Sequence, residues 1–168
     1  MKHDAIIPMS VGIKEMPLDE LFKEMSAWSN RIAKRAYDFF IASGFTNGHD
    51  LDDWFKAEQE LLKPMNFDVK DKGAEFIVTA EVPGFDVKDL DIHMNGSHLI
   101  IQGRHELAEE KKEKSGNVSE HKVQEIYRAI ELPVGVTAEQ AQADLKNGVL
   151  ELKLPKAGKP KQIQIAAA

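Results

Sequence analysis

The spacing of apolar residues changes near Pro64 and divides the chain into two parts. Before Pro64, apolar side chains recur at steps of three and four, which places them on one stripe of a helix. After Pro64, apolar and polar residues alternate, which is the pattern of a strand with one buried face. We therefore predict a helical arm over residues 1–64, a β domain over 65–155 and a flexible, basic tail over 156–168.

The arm is predicted to contain two amphipathic helices and holds eight of the twelve aromatic residues. The first helix runs from about Asp19 to Ala42 and stops before Gly44, and the second is capped by Asp50 and ends at Pro64. Two helices joined by a short loop cannot cover both apolar stripes by themselves. They either pack on their own domain or form an arm for self-association or for binding other proteins.

The second part consists of short alternating runs separated by Gly, Asn and Pro. The runs cover 76–82, 90–94, 99–101, 126–132, 141–145 and 150–154, and Gly103 is predicted to end the third. Two Asn-Gly pairs, at 95–96 and 147–148, are typical of tight hairpin turns. The pattern predicts an all-β antiparallel sandwich. The charged stretch 105–122 interrupts it and is predicted to be a long connection, either with a role of its own or without fixed structure.

The composition argues against catalysis, metal binding and nucleic-acid binding. The net charge is -6, whereas phosphate binding needs a basic patch. There is no cysteine, and none of the six histidines falls in a metal-ligand spacing. Without a phosphate-binding glycine motif, neither ATP turnover nor a cofactor is expected. No apolar run approaches the ~18 residues of a membrane span. We expect a soluble, cytoplasmic protein that is not an enzyme.

Four short motifs follow one another along the second part of the chain. They are Glu81–Phe85, Arg128 shortly before Pro133, Ala143–Leu150 and Ile163–Ile165. This ordered set, over roughly residues 65–165, resembles the small heat-shock protein family, whose members carry an α-crystallin domain. The resemblance implies an immunoglobulin-like sandwich. Within the arm, residues 35–37 and 48–61 look like a small helical bacterial domain of unknown function.

The resemblance also implies how subunits would assemble. The isoleucines of the tail, Ile163 and Ile165, would dock in a groove of a neighbouring subunit; without the family pattern they would be a terminal strand of their own sheet. The groove would be lined by Leu90, Ile92 and Met94 on one strand and by Ala141, Ala143 and Leu145 on another. The dimer interface would contain Arg128 and Val118, and the 105–122 connection would cross to the partner subunit. Arg128 would pair with a glutamate of that connection or remain exposed at a sheet edge.

The function implied by the resemblance is that of an ATP-independent chaperone, a holdase. Such a protein binds partly unfolded proteins, prevents their aggregation and assembles as a dynamic homo-oligomer of dimers. The candidate client-binding residues are the bulky apolar side chains of the arm: Phe22, Trp28, Phe39, Phe40, Trp54 and Phe55. These side chains either contact clients or pack inside the assembly. The alternative is a monomeric β-sandwich adaptor or co-chaperone that binds one folded partner.

Overall fold

The computed structural model describes residues 8–158. In chain order, its strands and helices are β1 (Met9–Val11), β2 (Ile13–Glu15), α1 (Leu18–Ala42), α2 (Asp50–Leu61), β3 (Phe67–Asp71), β4 (Glu75–Glu81), β5 (Leu90–Asn95), β6 (His98–Glu113), β7 (Gly116–Glu131), β8 (Gln142–Lys146) and β9 (Val149–Pro155). Single 3₁₀ turns precede β5 and β8. None of the helices in this range is long and apolar enough to cross a membrane.

Two sheets pack face to face around one apolar core, which confirms the predicted sandwich. One sheet has the order β1-β8-β9-β4-β3 and the other the order β2-β5-β6-β7. The core consists of the inward-facing members of the alternating runs, among them Phe76, Val78, Ile92, Ile101, Ile126, Leu150, Leu152 and Leu154. The strand pairs are antiparallel except for β2 and β5, which run parallel. Both β1 and β2 come from the first residues of the chain and not from the predicted β domain, and β1 pairs antiparallel with β8.

The turn between β8 and β9 shows why an Asn-Gly pair predicts a hairpin. Asn147 and Gly148 both have positive φ, 53° and 72°, as the tightest two-residue turn requires. A Cβ atom at Gly148 would also lie only 3.2 Å from the Cα atom of Pro83. Both the backbone angle and the close approach therefore require glycine here.

Strands β6 and β7 are much longer than predicted, and the expectation that Gly103 ends a strand was wrong. β6 continues to Glu113 and pairs in unbroken antiparallel register with β7. Gly103 is needed for packing, because a Cβ atom there would lie 2.9 Å from Cγ1 of Ile126. The stretch 105–122 likewise does not interrupt the sheet: it is the outer half of a hairpin. The alternation of apolar and polar residues is missing here because this half covers no core. Backbone hydrogen bonds alone extend the two strands.

The two helices form as predicted, α1 almost to the residue. At the second helix, Asp50 is the first helical residue and His49 occupies the capping position. The helices pack on each other through Ile32, Ala57 and Leu62, and the same cluster includes Tyr127 of β7. Since Tyr127 belongs to the sandwich, the arm packs on its own domain in this structure.

Candidate interaction sites

Five of the six predicted groove residues lie on β5 and β8, the strands at one side of the sandwich, and Ala141 immediately precedes β8. On β5, Leu90, Ile92 and Met94 point into the core and are buried. On the β8 side, Ala143 is buried and the other two, Ala141 and Leu145, are partly buried against the core. The apolar side chains of these residues therefore line the region between the two sheet edges, which we call the groove.

A segment of the same chain fills this groove. Residues 9–11 pair antiparallel with β8, and residues 13–15 pair parallel with β5. Val11 lies opposite Ala143 and Ile13 opposite Ile92. Val11 is only 4% exposed and belongs to the core, and Ile13 packs against the core. The segment therefore joins the two sheets along the side where they would otherwise end.

Hydrogen bonds fix the segment where it leaves the groove toward α1. The backbone N–H of Met16 donates to the carbonyl of Met94 at 2.9 Å, and the side-chain amide of Asn95 donates to the carbonyl of Met16 at 2.7 Å. The two strands of this segment were not predicted from the sequence. Its signal was the alternation from Met9 to Glu15, in which Val11 and Ile13 have the same two-residue spacing as Ile163 and Ile165. Those two isoleucines lie outside the described residues, so docking of the tail stays a prediction.

The opposite side of the sandwich is open and holds Arg128. A cleft of about 710 Å³ lies between the helices and strands β3 and β7, lined by Trp28, Ile32, Trp54 and Phe67 among others. The Arg128 guanidinium lies 4.7 Å from the centroid of the Phe67 ring and is exposed. Among the side chains that the structure describes, no carboxylate forms an ion pair with Arg128. Pairing of Arg128 with a glutamate of the 105–122 stretch in a dimer therefore stays a prediction.

The second residue predicted for the dimer interface, Val118, lies on the outer half of the β6–β7 hairpin. It pairs with Lys111 across the hairpin. The hairpin tip lies between Glu113 and Gly116, far along the strands from the core pair Gly103 and Ile126. A two-stranded extension of this kind carries unpaired backbone groups along its outer edges, which are suited to pairing with another strand.

The arm is held to the sandwich by an aromatic stack and a bidentate ion pair. The Trp28 ring stacks on Tyr127 with centroids 5.2 Å apart, and Arg31 lies 4.2 Å above the Trp28 ring. Arg31 also donates to both carboxylate oxygens of Glu125, at 3.1 and 3.4 Å. After α2, Lys63 donates its backbone N–H to the Glu125 carbonyl at 2.8 Å. The helical part of the arm thus contacts β7 through both side chains and backbone.

Burial at this contact changes the acidity of Tyr127. Its hydroxyl is buried, with no hydrogen-bond partner among residues 8–158. Burial, helped by the nearby Glu24 carboxylate, raises the pKa of Tyr127 to about 12. The phenol therefore remains neutral at any physiological pH, and its pKa reports on whether the arm covers it.

The predicted client-binding residues divide into two groups. Phe22 and Phe55 are 45% and 51% exposed, while the other four, Trp28, Phe39, Phe40 and Trp54, are partly buried. Three of these, Trp28, Phe39 and Trp54, pack against the core of the arm. They are thus mainly structural within this chain.

An exposed aromatic cluster lies at the tip of the arm, and the candidate set included only one of its members. The ring of Phe40 contacts Tyr37 at 6.1 Å and Phe45 at 5.4 Å between centroids. Tyr37 and Phe45 are 57% and 60% exposed. Tyr37 and Phe40 lie three residues apart in α1 and Phe45 follows the helix, but only the fold shows that no other element covers this end of the hairpin among the described residues.

The ionisable side chains near the sandwich form pairs and not larger sites. His105 Nδ1 lies 2.8 Å from Asp89 Oδ2, and the same carboxylate oxygen accepts the backbone N–H of Asp86. Burial works to raise the pKa of Asp89, but these two hydrogen bonds together with the positive charges of His105 and Lys88 lower the pKa below its usual value. No group of three histidine or carboxylate side chains suited to a metal occurs within the described part of the chain.

Comparison with known proteins finds a matching family model for each of the two parts of the chain. The model of the Hsp20/alpha crystallin family matches residues 68–166, and that of a protein of unknown function, DUF2934, matches residues 27–63. Spore protein SP21 of Stigmatella aurantiaca is 35% identical over 104 residues, which is 61% of this chain and 62% of that protein. The chain thus spans less than two thirds of that relative's length.

Two further comparisons cover more of the matched proteins. Small heat shock protein C2 of Rickettsia felis is 26% identical over 145 residues, 85% of this chain and 94% of that protein. Among solved structures, heat shock protein 16.0 from Schizosaccharomyces pombe is 29% identical with a TM-score of 0.45, covering 61% of this chain and 98% of that one.

Proposed function

The chain belongs to the Hsp20/alpha crystallin family, and from this premise we propose that it is an ATP-independent chaperone of the holdase type. It binds partly unfolded proteins in the cytoplasm and prevents their aggregation, without catalysing a reaction. The observation that carries the proposal is the match of the family model to residues 68–166, which span the strands from β3 to β9.

The surface that best suits client binding is the tip of the arm. Tyr37, Phe40 and Phe45 form an exposed aromatic cluster on a hairpin whose base is fixed to the sandwich. Aromatic side chains provide a large apolar area with few rotatable bonds, so they bind irregular apolar segments at low entropic cost. Phe22 and Phe55 add exposed apolar surface elsewhere on the helices.

Assembly is proposed to use the two sides of the sandwich separately. On the open side, the β6–β7 hairpin of one subunit reaches a partner, with Val118 and Arg128 at the contact. On the groove side, Ile163 and Ile165 of a neighbour dock between β5 and β8. Burying each isoleucine contributes about 1.5–3 kcal/mol, less the cost of ordering the tail. Individual contacts of this strength are reversible, and many of them together hold a large particle.

Holdase activity is tested by light scattering from a heat-labile enzyme at its unfolding temperature, without nucleotide. We expect scattering to fall in proportion to added protein and to be suppressed near equimolar subunits. Serum albumin at the same mass concentration is the control for non-specific protection. No suppression at a molar excess would contradict the proposal.

The alternative, a monomeric adaptor, differs in mass. Light scattering coupled to gel filtration should show a particle of many subunits, and a monomer at all concentrations would favour the adaptor. Replacing both tail isoleucines, Ile163→Gly with Ile165→Gly, should reduce the particle to dimers or small oligomers. An unchanged mass would contradict tail docking.

The dimer contact is tested by shortening the hairpin. Glu106 and Val123 lie opposite each other, so an Asn-Gly turn in place of residues 107–122 closes the shortened hairpin without changing its register. We expect the dimer to dissociate while the sandwich stays folded. Survival of the dimer would contradict the crossing hairpin.

A further inference from the structure

We propose that residues 9–15 are a built-in ligand of the β5–β8 groove, and that they close it to the C-terminal tail until they are displaced. The tail part of this proposal rests on the proposed function, whereas occupation of the groove by the chain's own segment rests on the structure alone. The groove would then be a regulated site, in which two segments of the same sequence compete.

The backbone pairing supports this assignment. β5 and β8 lie next to the ends of their sheets, and β2 and β1 supply the outermost strand of each. Without the segment, both β5 and β8 would present a row of unpaired N–H and C=O groups. One stretch of seven residues therefore covers two sheet edges, and it crosses from one to the other at Gly12, beside which there is open space.

The side chains give the second argument. Val11 and Ile13 are branched, two residues apart, and both pack against the core at the groove. Ile163 and Ile165 repeat that arrangement near the other end of the sequence. Val11 faces Ala143, one of the residues predicted to receive the tail. Because the two segments would need the same backbone edges and the same space, the groove accommodates one of them at a time.

The structure also suggests why the closure would be reversible. Each strand of the segment is only three residues long, and Met9 at its beginning is 63% exposed. A ligand that must first displace such a segment binds only the molecules in which the groove is open. Its apparent affinity is therefore lowered in proportion to the open fraction. The segment thus sets how readily a tail enters, and loosening it favours assembly.

The first experiment fixes the segment in place. The chain has no cysteine, and Ser10 lies opposite Asp144 in the β1–β8 pair. The full chain carrying Ser10→Cys and Asp144→Cys, with Ile163→Gly and Ile165→Gly to remove competition from its own tail, is oxidised under mild conditions. We expect an intramolecular disulfide, seen as the loss of both free thiols in a chain that still runs as a monomer on a non-reducing denaturing gel. The single substitution Ser10→Cys is the control for random cross-linking.

The second experiment measures entry into the groove. A fluorescein-labelled peptide with the sequence of residues 159–165 is titrated and its anisotropy recorded; the same peptide with both isoleucines replaced by glycine is the negative probe. In the tail-substituted background, we expect Val11→Gly with Ile13→Gly to tighten peptide binding at least tenfold. The matched control is Ser10→Gly with Lys14→Gly, which adds two glycines at exposed positions of the same segment and should change binding much less. The oxidised disulfide variant should not bind, and adding reductant should restore binding to the level before oxidation.

Three results would overturn the proposal. One is equal peptide affinity for the disulfide, unsubstituted and loosened forms. Another is cross-linking between chains only, which would assign the segment to a neighbour's groove. The third is absence of peptide binding even after loosening. Reversal by reductant uses one folded protein, so instability of the glycine variant does not obscure the outcome. None of these measurements uses a client, so failure of the scattering assay would reject the holdase without affecting this result.

Discussion

Removing the indole of Trp28 tests whether the aromatic stack holds the arm on the sandwich. A fully packed tryptophan buries up to about 250 Å², and Trp28 is partly buried, so we take about half of that area. At about 25 cal/mol per Å² this gives about 3 kcal/mol. The stack on Tyr127 adds about 0.5–1.5 kcal/mol. Part of this loss is recovered by relaxation, so Trp28→Ala should weaken arm docking by about 3 kcal/mol, about a hundredfold in the equilibrium constant.

Hydrogen exchange separates docking of the arm from stability of the sandwich. In Trp28→Ala, amide protection in α1 should fall by about a hundredfold, while that of the central strands β4 and β9 should be nearly unchanged. Trp28→Phe is the matched control, because it keeps a ring over Tyr127 and should lose much less protection. Equal loss of protection in the helices and in the central strands would show that the arm is an inseparable part of one folding unit.

The acidity of Tyr127 gives an independent measurement of the same step. The chain has two tyrosines, so Tyr37→Phe leaves Tyr127 as the only one. Its absorbance titration should have a midpoint near 12 with the arm docked, and the midpoint should fall toward 10.0 when Trp28→Ala uncovers the ring. A midpoint unchanged by Trp28→Ala, together with unchanged exchange in α1, would refute the stack as the contact that holds the arm.

Three further predictions concern stability, measured as the free energy of unfolding in denaturant. Asp89→Asn should lower it by about 1–2 kcal/mol at neutral pH. Because folding lowers the pKa of Asp89, its contribution to stability is present above the usual value of 3.8 and is lost as the pH falls through the lower folded-state pKa. The difference in stability between Asp89→Asn and wild type should therefore disappear in acid. A difference that persists there would contradict this assignment. Gly103→Ala should cost about 1–3 kcal/mol because its Cβ would meet Ile126, whereas Gly12→Ala, with open space around it, should be nearly neutral; equal effects would contradict the packing argument. Ala57→Leu should cost a similar 1–3 kcal/mol by forcing the two helices apart at a fully buried position, and an unchanged stability would show that the helices adjust.

Much of the candidate site could be predicted because it lies in regularly patterned strands. The inward-facing residues of β5 and β8 were identified from their two-residue alternation, and the resemblance carried by Ala143–Leu150 implied that the two strands line one groove. The helices could be predicted equally well, because a stripe of apolar residues at steps of three and four is a local property of the sequence. Arg128 was correctly placed on the sheet face with Ile126, but its exposure and its contact with Phe67 depend on which element covers the open side.

The sequence by itself determined most of the helices, strands and turns. The spacing of apolar residues, the capping residues and the Asn-Gly pairs act over a few neighbouring residues. The tertiary structure alone decided what those elements pair with. Val11 and Ile13 form strands only because β8 and β5, more than 75 residues away, offer unpaired edges and a gap beside Ala143. The outer hairpin likewise exists because β6 and β7 continue a register that begins in the core. Such pairings are stabilised by strands that are distant in sequence, and no local pattern predicts which strand will be present.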